Sequence, residues 1–322
     1  MKKIAVAGCK STTQECMERL VEDGFKIDLI ITLTPEMAQR EKVAGYMDLS
    51  PFAAQQGIPV YLPDTYSLKS DKDKARLQSM ELDCLLVVNW QRLIPEWLLK
   101  KLSIGAFGMH GSPEPLPRGR GRSPLNWSLL EGKKSFMTHL FKYSAGVDSG
   151  DIVGMQKFDI NAWDDCHTLH LKNRMSMNRL LKKYLPSILV GTAVFQVQPE
   201  GIEPTYFPKR TAADGKIHWD QMDMAGLYNH IRAQTHPFPG AFSYVRNKGT
   251  LQKISFWKSH PFDTHLFFYG EPPGKIVETF TDGSFLVSVW DGSLRIYDYS
   301  GQLPFTPKVG IRFIESFPEA GE

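Results

Sequence analysis

The chain has 322 residues, 42% of them hydrophobic and 23% charged, enough to build two domains and far from a disordered composition. Its 38 Lys+Arg against 35 Asp+Glu leave +3, which excludes a protein built around nonspecific nucleic-acid binding and leaves room for a local anion pocket. Cys9, Cys16, Cys84 and Cys166 match neither CxxC pairs nor a disulfide framework, so reduced thiols, a cytoplasmic setting and no structural zinc are expected. Lys2-Lys3 ahead of Val6-Ala7-Gly8-Cys9 has the outline of a lipoprotein signal, but the apolar run stops at Ala7, short of the roughly 7 to 15 residues such a signal needs. No stretch approaches the roughly 20 apolar residues of a membrane helix.

Short β-branched runs alternate with amphipathic stretches over the first ninety residues, the pattern of a parallel sheet wrapped by helices. Strands are expected at 3–7, 27–31, 59–61 and 83–88. Helices are expected from about Thr13, with Cys16, Leu20 and Val21 inward, and over 51–56. Gly8 stands at a strand-to-helix turn without a GxGxxG pattern, so a tight turn rather than a dinucleotide site is expected there. Strands at 138–143 and 152–158 precede a long helix over about 164–189. His167 and His170 in that helix have ligand-like spacing but no third ligand nearby, so no metal is expected.

Pro204 and Pro208 mark residues 201–208 as a linker between a domain at 1–200 and another at 209–322. Beyond it, Met224, Leu227, Tyr228 and Ile231 define one helix face, ended by Pro237 and Pro239. Turn signals at Asn247-Lys248-Gly249, Asp282-Gly283 and Asp291-Gly292 then point to a small β domain, with 284–290 and 293–299 as a hairpin. Trp163, Trp219, Trp257 and Trp290 are expected as core or domain-interface anchors.

The stretch that carries chemistry is Gly105 to Ser112, followed by Leu116-Pro117-Arg118-Gly119-Arg120-Gly121-Arg122-Ser123-Pro124-Leu125-Asn126-Trp127. An apolar strand ending at a histidine and opening into a Gly- and Pro-rich loop puts an imidazole at the carboxyl end of a sheet, where open α/β folds bind ligands. His110 is therefore a candidate base. Asp148 and Asp151 lie in the Gly-flanked turn Gly146-Val147-Asp148-Ser149-Gly150-Asp151. A carboxylate beside an imidazole fixes its orientation and stabilises its protonated form; Asp148 is the expected partner and Asp151 a turn cap. Arg118, Arg120 and Arg122 alternate with glycines, so they either present guanidinium groups to a phosphate-bearing substrate or pin the loop to the protein.

These residues resemble the formyltransferases that use 10-formyltetrahydrofolate, over nearly the whole chain. The resemblance rests on His-x-Ser with Leu-Pro-x-x-Arg-Gly-Arg-x-Pro-x-Asn-Trp, on 146–152, and on Asn89-Trp90-Gln91-Arg92-Leu93-Ile94-Pro95. Past the linker it continues through Lys209-Arg210-Thr211, Asp214 to Trp219, and Ile231 to Ala241. It implies a Rossmann-like, mostly parallel sheet domain followed by a smaller OB-like β domain, and transfer of a formyl group to a primary amine. His110 would then assist loss of the amine proton and stabilise the tetrahedral intermediate, Asp148 would orient His110, and Trp90, Arg92, Leu93, Ile94 and the backbone near Val147 would line the pterin pocket.

Two departures stand out. The family pattern has Asn-x-His where this chain has Gly108-Met109-His110, and losing one oxyanion donor typically costs about 10²- to 10³-fold in rate. Asn89 and Asn126 are the candidate substitutes by motif; without one, a weakly active or noncatalytic folate- or nucleotide-sugar-binding homologue, or a formate-releasing hydrolase, is the alternative. Pro113-Glu114-Pro115 also lengthens the loop after Ser112. As acceptor, methionyl-tRNA calls for a basic second domain, yet residues 209–322 hold twelve Lys+Arg and twelve Asp+Glu. Length disfavours glycinamide ribonucleotide. The wording Thr235 to Phe242 resembles the sugar N-formyltransferases, so a nucleotide-linked amino sugar is the expected acceptor, with Lys142, Lys209 and Arg210 either meeting its pyrophosphate or serving as solvated charge. The sequence leaves the oligomeric state open, a homodimer included.

Overall fold

Four consecutive apolar residues, Ile4–Ala7, form strand β1, and all four are buried, as a strand covered on both faces requires. The computed structural model describes residues 2–247, 250–266 and 268–315. After β1 come α1 (Ser11–Glu22), β2 (Leu29–Ile31), α2 (Pro35–Arg40), α3 (Ser50–Gln56), β3 (Val60–Tyr61), α4 (Asp71–Gln78), β4 (Cys84–Val87), α5 (Glu96–Lys101) and β5 (Gly105–Ser112). β6 (Arg120–Gly121), α6 (Pro124–Leu130), β7 (Ser135–Lys142), β8 (Ile152–Asp159), α7 (Cys166–Val190) and β9 (Tyr206–Phe207) follow. The remainder is α8 (Met224–Arg232), β10 (Ala241–Asn247), β11 (Thr250–Asp263), β12 (Ile276–Thr279), β13 (Phe285–Val289) and β14 (Gly292–Gly301).

Seven strands form one sheet in the order β3-β2-β1-β4-β5-β7-β8. The first five run parallel and β7 runs antiparallel to β5, which makes this a Rossmann-like, mostly parallel sheet. Its two faces are covered by separate apolar clusters, one around Val6, Met17, Leu86 and Phe107 and one around Ala7, Leu33, Leu85 and Leu98. On α1, Cys16, Met17 and Leu20 are buried, whereas Val21, expected on that inner face, is exposed, a step of about 100° from Leu20 carrying it out of the buried stripe. All four cysteines are free and buried. No helix among the described residues is long and apolar enough to cross a membrane.

The chain divides into two compact units. One holds the residues up to Gly121, Phe136–Phe158 and Leu171–Tyr206; the other holds Arg122–Ser135, Asp159–His170 and the chain from Phe207 onward. Inside the second unit, buried Arg232 donates to the carbonyls of Asn161 and Asp164, each at 2.9 Å. Asn126 donates to Ala233 O, and the Cys166 thiol to Thr235 O. These bonds tie two segments of early chain to α8. Residues 201–208, expected as a linker, are partly ordered by pairing: Arg120 N donates to Thr205 O at 2.9 Å within the first unit.

Five antiparallel strands, in the order β10-β11-β14-β13-β12, make the smaller β domain. Residues 311–314 bridge its two edge strands: Ile314 pairs with Tyr244 of β10, and Arg312 with Lys275 beside β12. The core of this sheet centres on Trp219, Phe256, Phe285 and Phe313. Val289 and Gly292 pair across the turn at Trp290-Asp291, so the hairpin stands where the turn signal put it. Asn247 pairs with Thr250, while Lys248 and Gly249 of the first turn signal lie outside the described residues. Of the tryptophans expected as anchors, Trp219 is buried, but Trp163 and Trp290 are 83% and 58% exposed.

Two buried histidines, His139 on β7 and His230 on α8, are each pushed down to about 4 by desolvation, from an ordinary imidazole value of 6.5. In the native state they stay neutral where the unfolded chain takes up protons. Their stability contribution is therefore complete above about pH 6.5 and is lost as pH falls through about 4, by roughly 2 kcal/mol for each at about pH 5. Denaturant midpoints measured at about pH 7 and about pH 5 should show this loss, and His139→Leu should flatten the dependence.

Candidate active site

β5 extends beyond its pairing with β4: Val87 lies opposite Gly108, and the strand continues through Met109 and His110 to Ser112. That overhang lifts the His110 side chain clear of the parallel strands. β7 supports it from the other side, where His110 lies opposite His139. His110 Nδ1 is 3.4 Å from Asp148 Oδ2, and His110 Nε2 is 2.8 Å from the carbonyl oxygen of Gly119. The imidazole thus stands between a carboxylate and a carbonyl. The two side chains are 10% and 17% exposed, so they are largely desolvated yet reachable.

Asp148 is held from several directions. Its backbone has φ of 47°, in the left-handed region. Gly121 N donates to its Oδ2 at 3.3 Å. Gln198, itself buried, donates from Nε2 to the carbonyls of Asp148 and Gly150, each at 2.8 Å, and accepts from Arg120 through Oε1 at 2.7 Å. Glycine is required at 150 because a Cβ there would lie 1.6 Å from Lys142 O, where the turn folds back on β7. The loop after β5 is pinned as well. Ser112 Oγ donates to Arg118 O at 2.8 Å, and Gly119 N donates to Thr205 Oγ1 at 2.8 Å.

The other residues named from sequence occupy varied settings. Arg120 is buried and bonded to Gln198 and Tyr206, so it pins the loop. Arg118 is exposed and pairs with Glu114 at 3.4 Å, and Arg122 is exposed. Trp90 and Ile94 are buried in the sheet-side cluster, with Trp90 edge-on to Tyr66 at 4.7 Å. Arg92 lies over the Tyr66 ring at 4.5 Å and pairs with Glu41 at 2.9 Å. Leu93 and Val147, by contrast, are 51% and 42% exposed. Lys142 lies 5.6 Å from the Phe195 ring centre. Lys209 is exposed, while Arg210 bonds Asp214 O and Gln234 within the second unit. The amides proposed as oxyanion donors are both engaged: Asn89 donates to Thr12 Oγ1, and Asn126, in the second unit, to Ala233 O at 2.6 Å. Among the described residues no three His, Cys, Asp or Glu side chains form a metal-binding group.

Residues 2–185 match the model of the formyl transferase family, and residues 209–303 that of the formyl transferase C-terminal domain. The chain belongs to the formyl transferase family. It is a formyltransferase whose fold is shared with solved structures over nearly its full length. An N-formyltransferase from Helicobacter canadensis, in complex with folinic acid and dTDP-3-aminofucose, superposes with a TM-score of 0.65 at 19% identity, covering 93% of this chain and 100% of that one. WlaRD, a sugar 3N-formyl transferase in the presence of dTDP and 5-N-formyl-THF, gives 0.64 at 17% identity, covering 98% and 99%. HypX from Aquifex aeolicus, in complex with tetrahydrofolic acid, gives 0.63 at 17% identity over 94% of this chain, which spans 44% of HypX. At these identities the likeness is one of fold.

Sequence reading of this formyltransferase missed Gln198, which orders the Asp148 turn from far along the chain. The only signal for it is a polar residue between apolar ones just before the linker. Gln198→Ala would remove the acceptor of Arg120 Nη2 and the donor to the carbonyls of Asp148 and Gly150, so stability should fall by about 1–3 kcal/mol. Urea denaturation of the two proteins measures it.

Proposed function

We propose that this formyltransferase moves a formyl group from 10-formyltetrahydrofolate to the primary amine of a nucleotide-linked amino sugar. The observation that carries the reading is the His110–Asp148 contact of 3.4 Å at the end of the extended β5 strand. The folate side is supported by chemistry present in the first unit. Leu93 and Val147 offer exposed apolar surface suited to a flat heterocycle. The sugar side is supported by the neutral second domain, which lacks the charge a tRNA reader needs, and by the shared fold with two enzymes solved alongside dTDP or a dTDP-sugar.

The bound folate supplies an electrophilic formyl carbon. Nδ1 of His110 faces Asp148, so Nε2 accepts the proton that the amine sheds as its nitrogen bonds to that carbon, and Asp148 holds the resulting imidazolium in place. The same ring then returns the proton to the departing folate nitrogen as the old carbon–nitrogen bond breaks, so protons and electrons balance without an external oxidant or base. Nε2 gives up its contact with the Gly119 carbonyl to meet the amine, so the acceptor takes that carbonyl's place against the ring.

Incubating the protein with 10-formyltetrahydrofolate and a panel of dTDP-, UDP- and GDP-linked amino sugars, with mass spectrometry of formamide product and free formate, should yield formamide. His110→Ala and Asp148→Asn should each lower the rate by about 10²- to 10⁴-fold. Formate released without an acceptor, or formylation confined to methionyl-tRNA, would overturn the reading.

A further inference from the structure

Formyl transfer places negative charge on the formyl oxygen, and a hydrogen-bond donor aimed at that oxygen is worth about 10²- to 10³-fold in rate. Gly108, two residues before His110 and therefore on the same face of β5, has no side chain to offer one. The amides of Asn89 and Asn126 are spent on Thr12 and Ala233. The space at Gly108 is nevertheless filled. A Cβ built on Gly108 would lie 2.2 Å from Cε2, 2.8 Å from the hydroxyl oxygen and 2.9 Å from Cζ of Tyr143, so the phenol end of Tyr143 stands where a side chain at 108 would begin.

Tyr143 is well held there. Its backbone N donates to Ala106 O at 2.8 Å, and its ring leans on that of buried Phe141 at 5.2 Å between centres. The side chain is half-buried, and its hydroxyl has no hydrogen-bond partner among the described residues. Desolvation first, and then the negative charge of Asp148, raise the phenol above its ordinary range, so it keeps its proton and remains a donor. The influence of Asp148 also puts the phenol in the electrostatic neighbourhood of the His110 pair.

We propose that Tyr143 donates its hydroxyl proton in a hydrogen bond to the formyl oxygen, taking the part that a side chain at position 108 cannot. The inference rests on the formyl-transfer reading above. Glycine at 108 and tyrosine at 143 then form one compensating pair: any side chain at 108 would expel the ring.

Tyr143→Phe keeps the ring and removes only the donor. With the amino sugar accepted by the wild-type protein, kcat should fall about 10²- to 10³-fold while KM for both substrates and folate affinity by calorimetry stay within about two-fold. The double variant Gly108→Asn with Tyr143→Ala, which clears the ring and installs an amide, should be faster than Tyr143→Ala alone. Wild-type kcat in Tyr143→Phe, or loss of folate binding together with kcat, overturns the assignment while leaving formyl transfer intact. Absence of formamide from the wild-type protein overturns the formyl-transfer reading itself, and the role of Tyr143 with it.

Discussion

Asp148 meets His110 from a left-handed backbone conformation that few residues other than glycine, asparagine and aspartate adopt, and the order of the site follows from what keeps it there. Left-handed backbone at a non-glycine residue costs on the order of 1–2 kcal/mol. The cost is met by hydrogen bonds that would otherwise have no buried partner, two accepted from Gln198 and one from Gly121. Gln198 in turn holds Arg120, whose backbone is bonded to Thr205. One carboxylate is therefore positioned by three stretches of chain far apart in sequence, and the loop that carries the Gly119 carbonyl is fixed by the same bonds. A turn that relaxed to right-handed backbone would swing the carboxylate off the imidazole and leave Gly121 N without its acceptor.

The parallel strands were legible because each is a short apolar run bounded by turn residues, and the expected bounds of β1 and β4 lie within a residue of those observed. Polar helices were not. α4 has the sequence DKDKARLQ, and apart from Leu77 the residue it buries is Asp73, which accepts from Tyr61, Asp64, Thr65 and Ser70. Its stability comes from that carboxylate and not from an apolar stripe, so hydrophobic periodicity cannot find it. The second domain was legible from its turns, since Asp-Gly pairs constrain hairpins more tightly than strand composition does.

Within the site, motif residues and supporting residues behaved differently. His110 and Asp148 are adjacent to glycines that shape their loops, so local sequence points to them. Arg120 has the same local signal as Arg118 and Arg122, yet it alone is buried, because only a partner 78 residues away decides which of the three turns inward. Tyr143 looked like the end of an apolar strand, and its relation to Gly108 exists only through the antiparallel register of β5 and β7. Positions whose meaning depends on cross-strand pairing stay silent until the pairing is known.

The strip at 311–314 deserves the same reading in the second domain. It is scarcely a strand, yet it supplies backbone partners to Tyr244 on one side and to Gly274 and Ile276 on the other. Apart from the pairing of Ile217 with Phe242, the two rims of the small sheet would without it be rows of unpaired N–H and C=O groups able to recruit a strand from another molecule. A few residues near the end of the described chain thus act as a seam along both edges of the sheet, though they contribute almost nothing to the domain's mass.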